Sequence, residues 1–222
     1  IAGTFANITY AGQVWNILSI FWRVYLVVIP LHIVYLVIQF TTAGFVTGKN
    51  PLKMLKNQIP GYLTAVGTQS SAATIPVTLE CVKKNNISEE VLDFVVPLGA
   101  TIHLAGDTIT LVLTSMAVMY MNGQTPTFGM IMPFIFMLGV TMIAAPGVPG
   151  GGVMAALGLL ESMLGFGAVE KPIMIALHAA QDSFGTATNV TGDGAIAIIV
   201  DYIINKRKSN SAQNESNESI IA

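Results

Sequence analysis

Residues 19–46, "SIFWRVYLVVIPLHIVYLVIQFTTAGFV", carry a single charged side chain, Arg23. So long an apolar run exceeds the ~20 residues with which a helix crosses a bilayer. Once in lipid, a backbone must satisfy its own N–H and C=O groups, and only helices and closed barrels do so. Two further segments, 88–121 and 170–205, have the length of helical spans. Composition agrees: 10% of residues are charged, against about 25% in a soluble domain. The chain reads as an all-α membrane protein embedded in the lipid bilayer. A formal net charge of −2 without a basic stripe argues against a nucleic-acid partner, and the single cysteine, Cys81, cannot build a disulfide framework.

Between the spans lie 51–84 and 125–166. Each has apolar arms around a centre that breaks a helix, "TQSSAATIP" in the first and "APGVPGGG" in the second. Non-helical backbone at membrane depth is tolerated only inside protein or beside a wet cavity. A re-entrant hairpin meets that condition, with Pro76 and Pro149 expected at the breaks. Lys49, Lys53, Lys56, Lys83, Lys84, Lys206, Arg207 and Lys208 then share one side, the cytoplasmic one, provided both 51–84 and 125–166 return to the face they left. A span followed by a hairpin, repeated in opposite orientation, is the pattern of an inverted repeat in a secondary transporter. The chain opens at Ile1 without a methionine, so residues 1–18 read as the end of a preceding segment. Residues 206–222, polar and rich in Asn and Ser, read as a disordered cytoplasmic tail.

The chemistry concentrates in the third span. Asp182, Thr186, Asn189 and Asp193 fall at i, i+4, i+7 and i+11, within a stripe roughly 60° wide. An aspartate at the centre of a membrane helix costs ~2.5–3.5 kcal/mol, whereas interhelical hydrogen bonds average only ~0.6 kcal/mol. Polar packing alone does not offset two carboxylates; a bound cation or ammonium does. In "PLGATIHLAGDT", Gly99 and Gly106 bracket Thr101, His103 and Asp107, and unwound backbone there would expose carbonyl oxygens suited to an alkali cation. The two hairpin tips, entering from opposite faces, are expected to meet near the membrane centre. There they would offer free N–H groups to a carboxylate and free C=O groups to a cation. Ser70 and Ser71 add small hydroxyls at the first tip, and Gly150, Gly151 and Gly152 give the second the flexibility of a gate. His32 and His178 read as packing residues, and nothing in the spacing suggests a transition-metal site.

In this order and spacing, "TQSSAATIP", "PLGATIHLAGDT", "GVPGGG" and "DSFGTATNVTGD" resemble the motifs of the dicarboxylate/amino acid:cation symporter family, the glutamate transporter group, across residues 19–205. The resemblance implies the transport-domain core of that fold without the spans that carry its trimerisation scaffold. It implies a homotrimer when the full chain is present, multi-pass in the plasma membrane, whose transport domains move independently like elevators. It also implies that Ser70 and Ser71 meet the substrate carboxylate, that Asp182 binds the substrate ammonium, and that Thr186 and Asn189 touch substrate. Asp193 with the backbone of Gly99, His103 and Asn189 corresponds to one sodium site. Backbone oxygens of Thr101, Met142, Ile143 and Ala145 correspond to a second. Gly147, Val148 and Gly152 lie where the second hairpin closes over the substrate.

Departures from the family pattern carry as much information. The usual "NMDGT" is "HLAGD" here. His103 replaces an asparagine, Ala105 removes an aspartate of a third sodium site, and Asp107 stands where a substrate-facing threonine is usual. Gly185 occupies the position of the arginine found in acidic-substrate members, and Gln69 that of an arginine sometimes present at the hairpin tip. The expectation is Na+-coupled symport of a neutral or small polar amino acid, with a dicarboxylate or glutamate symporter as the alternative. His103 leaves two readings: a hydrogen-bonded substitute for asparagine, or a titratable group through which H+ replaces one Na+. An ion channel and a non-transporting homologue are the rival classes, separated from a transporter by coupled, saturable uptake. An intramembrane aspartyl protease would need a glycine at Leu104 and Val190, so no enzyme is expected.

Overall fold

The computed structural model describes residues 14–221, with side chains described from 21 to 211. Residues 1–13 of the expected preceding segment lie outside the described residues. Every regular element among the described residues is helical. Helix α1 (Val14–Thr47) is the first apolar run, carried intact through Pro30 and stopped by Gly48 at φ +71°. Helix α2 (Pro51–Asn57) starts with proline where no N–H is needed, and the Asn50 side chain accepts from the Lys53 N–H at 3.1 Å. It is followed by α3 (Ile59–Thr68), α4 (Ser71–Lys83), α5 (Glu89–Ile102), α6 (Ala105–Met121), α7 (Phe128–Met142), α8 (Gly151–Leu164) and α9 (Glu170–Ile221). Among the described residues, three stretches are long and apolar enough to cross a membrane: Phe21–Thr47, Glu89–Met121 and Glu170–Ser211.

Helix α9 is the axis of the molecule. It packs against α1, α3, α4, α5, α6 and α8, and 67% of its apolar window is buried, against 28% for α1. Two apolar clusters pack against it, on either side of its polar stretch. One gathers Leu111, Phe134, Leu138, Leu160 and Leu177 from α6 to α9. The other gathers Phe40, Met54, Val82, Val96 and Ile198 from α1, α2, α4, α5 and α9. Inside lipid such contacts hold by close packing rather than by expelling water. Between the clusters α9 crosses a layer rich in polar side chains, and that layer holds the site. The outer surface is apolar: Trp22, Leu26 and Ile38 on α1 and Phe128, Phe136 and Val140 on α7 are exposed, as contact with lipid or with further spans requires.

Several details differ from the sequence reading. Pro76 lies inside α4, and the first break falls at Gln69 (φ 53°, ψ 23°) and Ser70 (φ −138°, ψ 112°), where a left-handed residue followed by an extended N-cap ends one helix and starts the next. The segment 206–221 continues α9 instead of forming an irregular tail. No glycine or proline follows Gly194 to stop the helix, and Lys208 Nζ is tied to Glu90 at 2.9 Å. Ser88 stands at the N-cap of α5, but its hydroxyl makes no capping bond. It donates instead to Asp201 Oδ1 at 2.6 Å, and the Ser88 N–H donates to the same oxygen at 3.1 Å.

That carboxylate joins α9 to the start of α5. Asp201→Ala strands both donors and lowers stability by about 1–3 kcal/mol, read as a fall in the thermal midpoint of the detergent-solubilised protein. The same end of the molecule collects basic groups. Lys49 Nζ donates to the Asn85 carbonyl at 2.8 Å, and Lys83 pairs with Glu89 at 2.7 Å. At the foot of α2 and α4, Asn57 Nδ2 donates to Asn85 Oδ1 at 2.7 Å, so segment 51–84 begins and ends together.

Candidate ligand-binding site

The four polar residues of α9 face inward: Asp182, Thr186, Asn189 and Asp193 are all buried. So are Gln181, Thr188 and Thr191 around them, which makes this stretch an enclosed helix rather than an amphipathic one. The site divides into two parts along α9.

The first part surrounds Asp193. His103 Nδ1 donates to Asp193 Oδ1 at 2.9 Å. A Cβ on Gly99 would stand 2.5 Å from that same oxygen, so only glycine lets the α5 backbone reach the carboxylate. Tyr35 Oη and Gln39 Nε2, from α1, lie 3.2 and 3.4 Å from His103 Nε2. Neither was singled out in the sequence, because an isolated Tyr and Gln on an apolar helix carry no signal until the tertiary structure aims them.

His103 and Leu104 also form the break between α5 and α6, with φ/ψ of −106°/82° and −109°/46°. The new N-terminus of α6 is held from α9: the Gly106 N–H donates to Asn189 Oδ1 at 2.7 Å, and Asn189 Nδ2 donates to Asp107 Oδ2 at 2.6 Å. One amide thus satisfies an orphan backbone donor and orients a carboxylate. His32 Nε2 sits 3.0 Å from the Gly106 carbonyl and 3.3 Å from Thr110 Oγ1, a role in packing.

The second part lies where the two breaks meet. Gly147 O accepts from the Ala72 N–H at 3.1 Å and from Ser70 Oγ at 3.0 Å. A backbone carbonyl of the second break therefore occupies the N-terminus of α4. Ser70 Oγ also accepts from the Ala73 N–H at 3.2 Å. Gln69, in the uncommon left-handed region for a side-chain-bearing residue, is anchored to Ser183 Oγ at 2.9 Å. Gly150, at φ +74°, caps α8 and donates its N–H to Asp182 Oδ2 at 2.7 Å. Thr186 Oγ1 donates to Asp182 Oδ1 at 3.2 Å. Gly152 lies against Asp107, where a Cβ would be 3.3 Å from the carboxylate carbon. Ser71 is buried beside Gly147.

The backbone set Thr101, Met142, Ile143 and Ala145 is less gathered. Met142 and Ala145 are buried, whereas Ile143 and Val148 are exposed. Thr101 Oγ1 donates back to Leu98 O. Among the described residues, α5 approaches this region at Ala100, whose carbonyl oxygen a Cβ on Gly147 would run into.

His178, read from the sequence as a packing residue, stands beside two carboxylates. It is completely buried, with Nε2 3.4 Å from Asp107 Oδ1 and 3.7 Å from Asp182 Oδ1. Asp107, His178 and Asp182 form one cluster of possible ligand atoms, all within 4.8 Å of one another. The i, i+4 spacing of His178 and Asp182 was visible in the sequence. The arrival of Asp107 from another helix was not.

Broken helices from two directions thus converge on buried carboxylates inside an apolar, all-helical body. Comparison with known proteins gives the family. Residues 1–203 match the sodium:dicarboxylate symporter family. The chain is 30% identical over its whole length to 40% of excitatory amino acid transporter 1 of Ambystoma tigrinum. It is 33% identical over 71% of its length to 29% of the human protein of that name. It is 29% identical over 72% of its length to 30% of human neutral amino acid transporter A. The chain belongs to the sodium:dicarboxylate symporter family, a family of membrane transporters and not of enzymes. It spans 40% or less of the length of these relatives.

Proposed function

We propose that the full-length protein is a sodium-coupled symporter of a neutral or small polar amino acid. It works by elevator-type alternating access, as a homotrimer in the plasma membrane with its C-terminus cytoplasmic. Segments 51–84 and 125–166 are its re-entrant hairpins, related as an inverted repeat. Ser70, Ser71, Asp107, Thr186 and Asn189 line the substrate pocket with Asp182, while Gly147, Val148 and Gly152 belong to the gate. Asp193, Gly99, His103 and Asn189 serve one sodium ion, and the backbone of Thr101, Met142, Ile143 and Ala145 serves a second.

The junction of the two breaks carries this reading. There the second tip places a carbonyl, Gly147 O, on the N-terminus of α4 and an N–H donor, Gly150 N, on Asp182. These are the two contacts that an α-amino acid makes with its carboxylate and its ammonium. A substrate replaces both when the tip moves aside, so one motion opens the gate and exposes the site. Among the described residues no lysine or arginine belongs to the cluster, and Asp107 repels a second carboxylate, which favours neutral substrates. The pairing of His103 with Asp193 supports a further reading in which H+ takes the place of one Na+.

Uptake into proteoliposomes tests these points. Labelled serine, alanine or threonine enters at least about tenfold faster than aspartate, a margin of roughly 1.4 kcal/mol, when a Na+ gradient is imposed. Preference for aspartate sinks the charge argument, and non-saturable flux reveals a channel. Uptake driven by a proton gradient alone decides the role of His103.

A further inference from the structure

We propose that Asp107, His178 and Asp182 form a binding site for a divalent first-row transition-metal ion, Zn2+ being the type case, and that the ion excludes the amino acid. The second clause rests on the assignment of Asp182 to the substrate ammonium; the first does not.

Three observations converge. His178 is completely buried, and neither ring nitrogen has a hydrogen-bond partner among the described residues. A buried imidazole normally finds one, so an unpartnered Nε2 pointing between two carboxylates is an open ligand position. The donor separations suit a metal better than a proton. Nε2 lies 3.4 Å from Asp107 Oδ1 and 3.7 Å from Asp182 Oδ1, beyond the ~2.7–3.2 Å of an N–H···O bond. A tetrahedral ion with bonds of ~2.0–2.1 Å holds its ligand atoms about 3.3–3.4 Å apart. The second oxygen of each carboxylate is also already held. Asp107 Oδ2 accepts from Asn189 Nδ2, and Asp182 Oδ2 accepts from the Gly150 N–H. Such outer contacts aim a ligand and are characteristic of metal sites.

Charge and donor type select the ion. Two carboxylates with a neutral imidazole carry −2, and a dication neutralises them where unpaired charge is costly. A nitrogen ligand disfavours Na+, Mg2+ and Ca2+, which take oxygen, and favours Zn2+, Co2+ or Ni2+. Three protein ligands leave a fourth position for water. Gly150 and Gly152, both from the second break, border the cluster and give it an entry path when that tip moves.

Co2+ added to the purified full-length protein tests the site, because tetrahedral Co2+ has an intense visible absorption that hexahydrated Co2+ lacks. One equivalent should bind with that spectrum and be displaced by Zn2+. Cys81→Ser should retain the band, and His178→Gln should lose it. His178→Cys, made in the Cys81→Ser background, should keep Co2+ at one equivalent and add a thiolate-to-metal charge-transfer band, a positive signal lost on thermal unfolding. Weak absorption unchanged by either His178 substitution overturns the site. Metal at ten times its own Kd should raise the apparent Kd for the amino acid about tenfold by competition. Unchanged amino-acid affinity with Co2+ bound overturns the exclusion clause. Sodium-dependent amino-acid binding without metal is measured in parallel, so loss of the metal site and loss of the transport reading give different results.

Discussion

Asp182→Asn weakens amino-acid binding by the full-length protein between about 30-fold and about 4,000-fold. The range follows from the ~2–5 kcal/mol lost when one partner of a buried charge pair is removed, at ~1.4 kcal/mol per tenfold. Asparagine keeps the shape of the side chain, and its oxygen still accepts from the Gly150 N–H that Asp182 Oδ2 holds at 2.7 Å. The negative charge is removed, and the Thr186 hydroxyl, which donates to Asp182 Oδ1 at 3.2 Å, turns to accept from the new NH2 group. In the absence of amino acid the variant is therefore as stable as the parent or more so, because an incompletely neutralised carboxylate has left the interior. Calorimetric binding in the presence of Na+, with the thermal midpoint recorded alongside, checks both parts. An unchanged Kd would remove Asp182 from the ammonium site and with it the central electrostatic idea.

Gly106→Ala is expected to damage both the packing and the site. A Cβ at this position would run into the Gly185 carbonyl oxygen and lie 2.8 Å from Thr188 Cβ. The first obstacle is the α9 backbone and cannot rotate away. Overpacking of this kind costs about 1–3 kcal/mol. Here the forced separation of α6 from α9 also pulls the Gly106 N–H off Asn189 Oδ1, a bond of 2.7 Å. The thermal midpoint should fall, and sodium-dependent binding should weaken with it, since Asn189 also holds Asp107. Gly158→Ala is the control. Nothing lies within 4 Å of its would-be Cβ, and alanine is the better helix former by roughly 0.8–1.0 kcal/mol, so its midpoint should hold or rise.

Much of the architecture was legible before any fold was known, and for local reasons. Apolar runs of bilayer length identify α1, the α5–α6 segment and α9. Clustered glycines and prolines mark the break between α7 and α8. The polar interruption between Gly99 and Gly106 contains the break that the structure places at His103 and Leu104. Where the reading failed, the local signal was ambiguous. Pro76 looks like a helix breaker, yet the chain ends α3 with a left-handed Gln69 that composition does not announce. The segment after Lys206 looks like a polar tail, yet nothing in it stops a helix that is already nucleated.

The amino-acid sequence alone determined that this chain is helical, which segments are interrupted, and that one face of α9 is too polar to lie in lipid without a partner. Hydrophobic length, helical period and backbone propensity act within a few turns, so one strand of sequence contains them. Only the tertiary structure decided who meets whom. Asn189 reaches Asp107 across 82 residues, Tyr35 and Gln39 turn towards His103, Gly147 seals the N-terminus of α4, and His178 becomes the third member of a carboxylate cluster. Such pairings depend on how helices cross in space, and side-chain identity along a single helix carries no record of what the neighbouring helix presents to it.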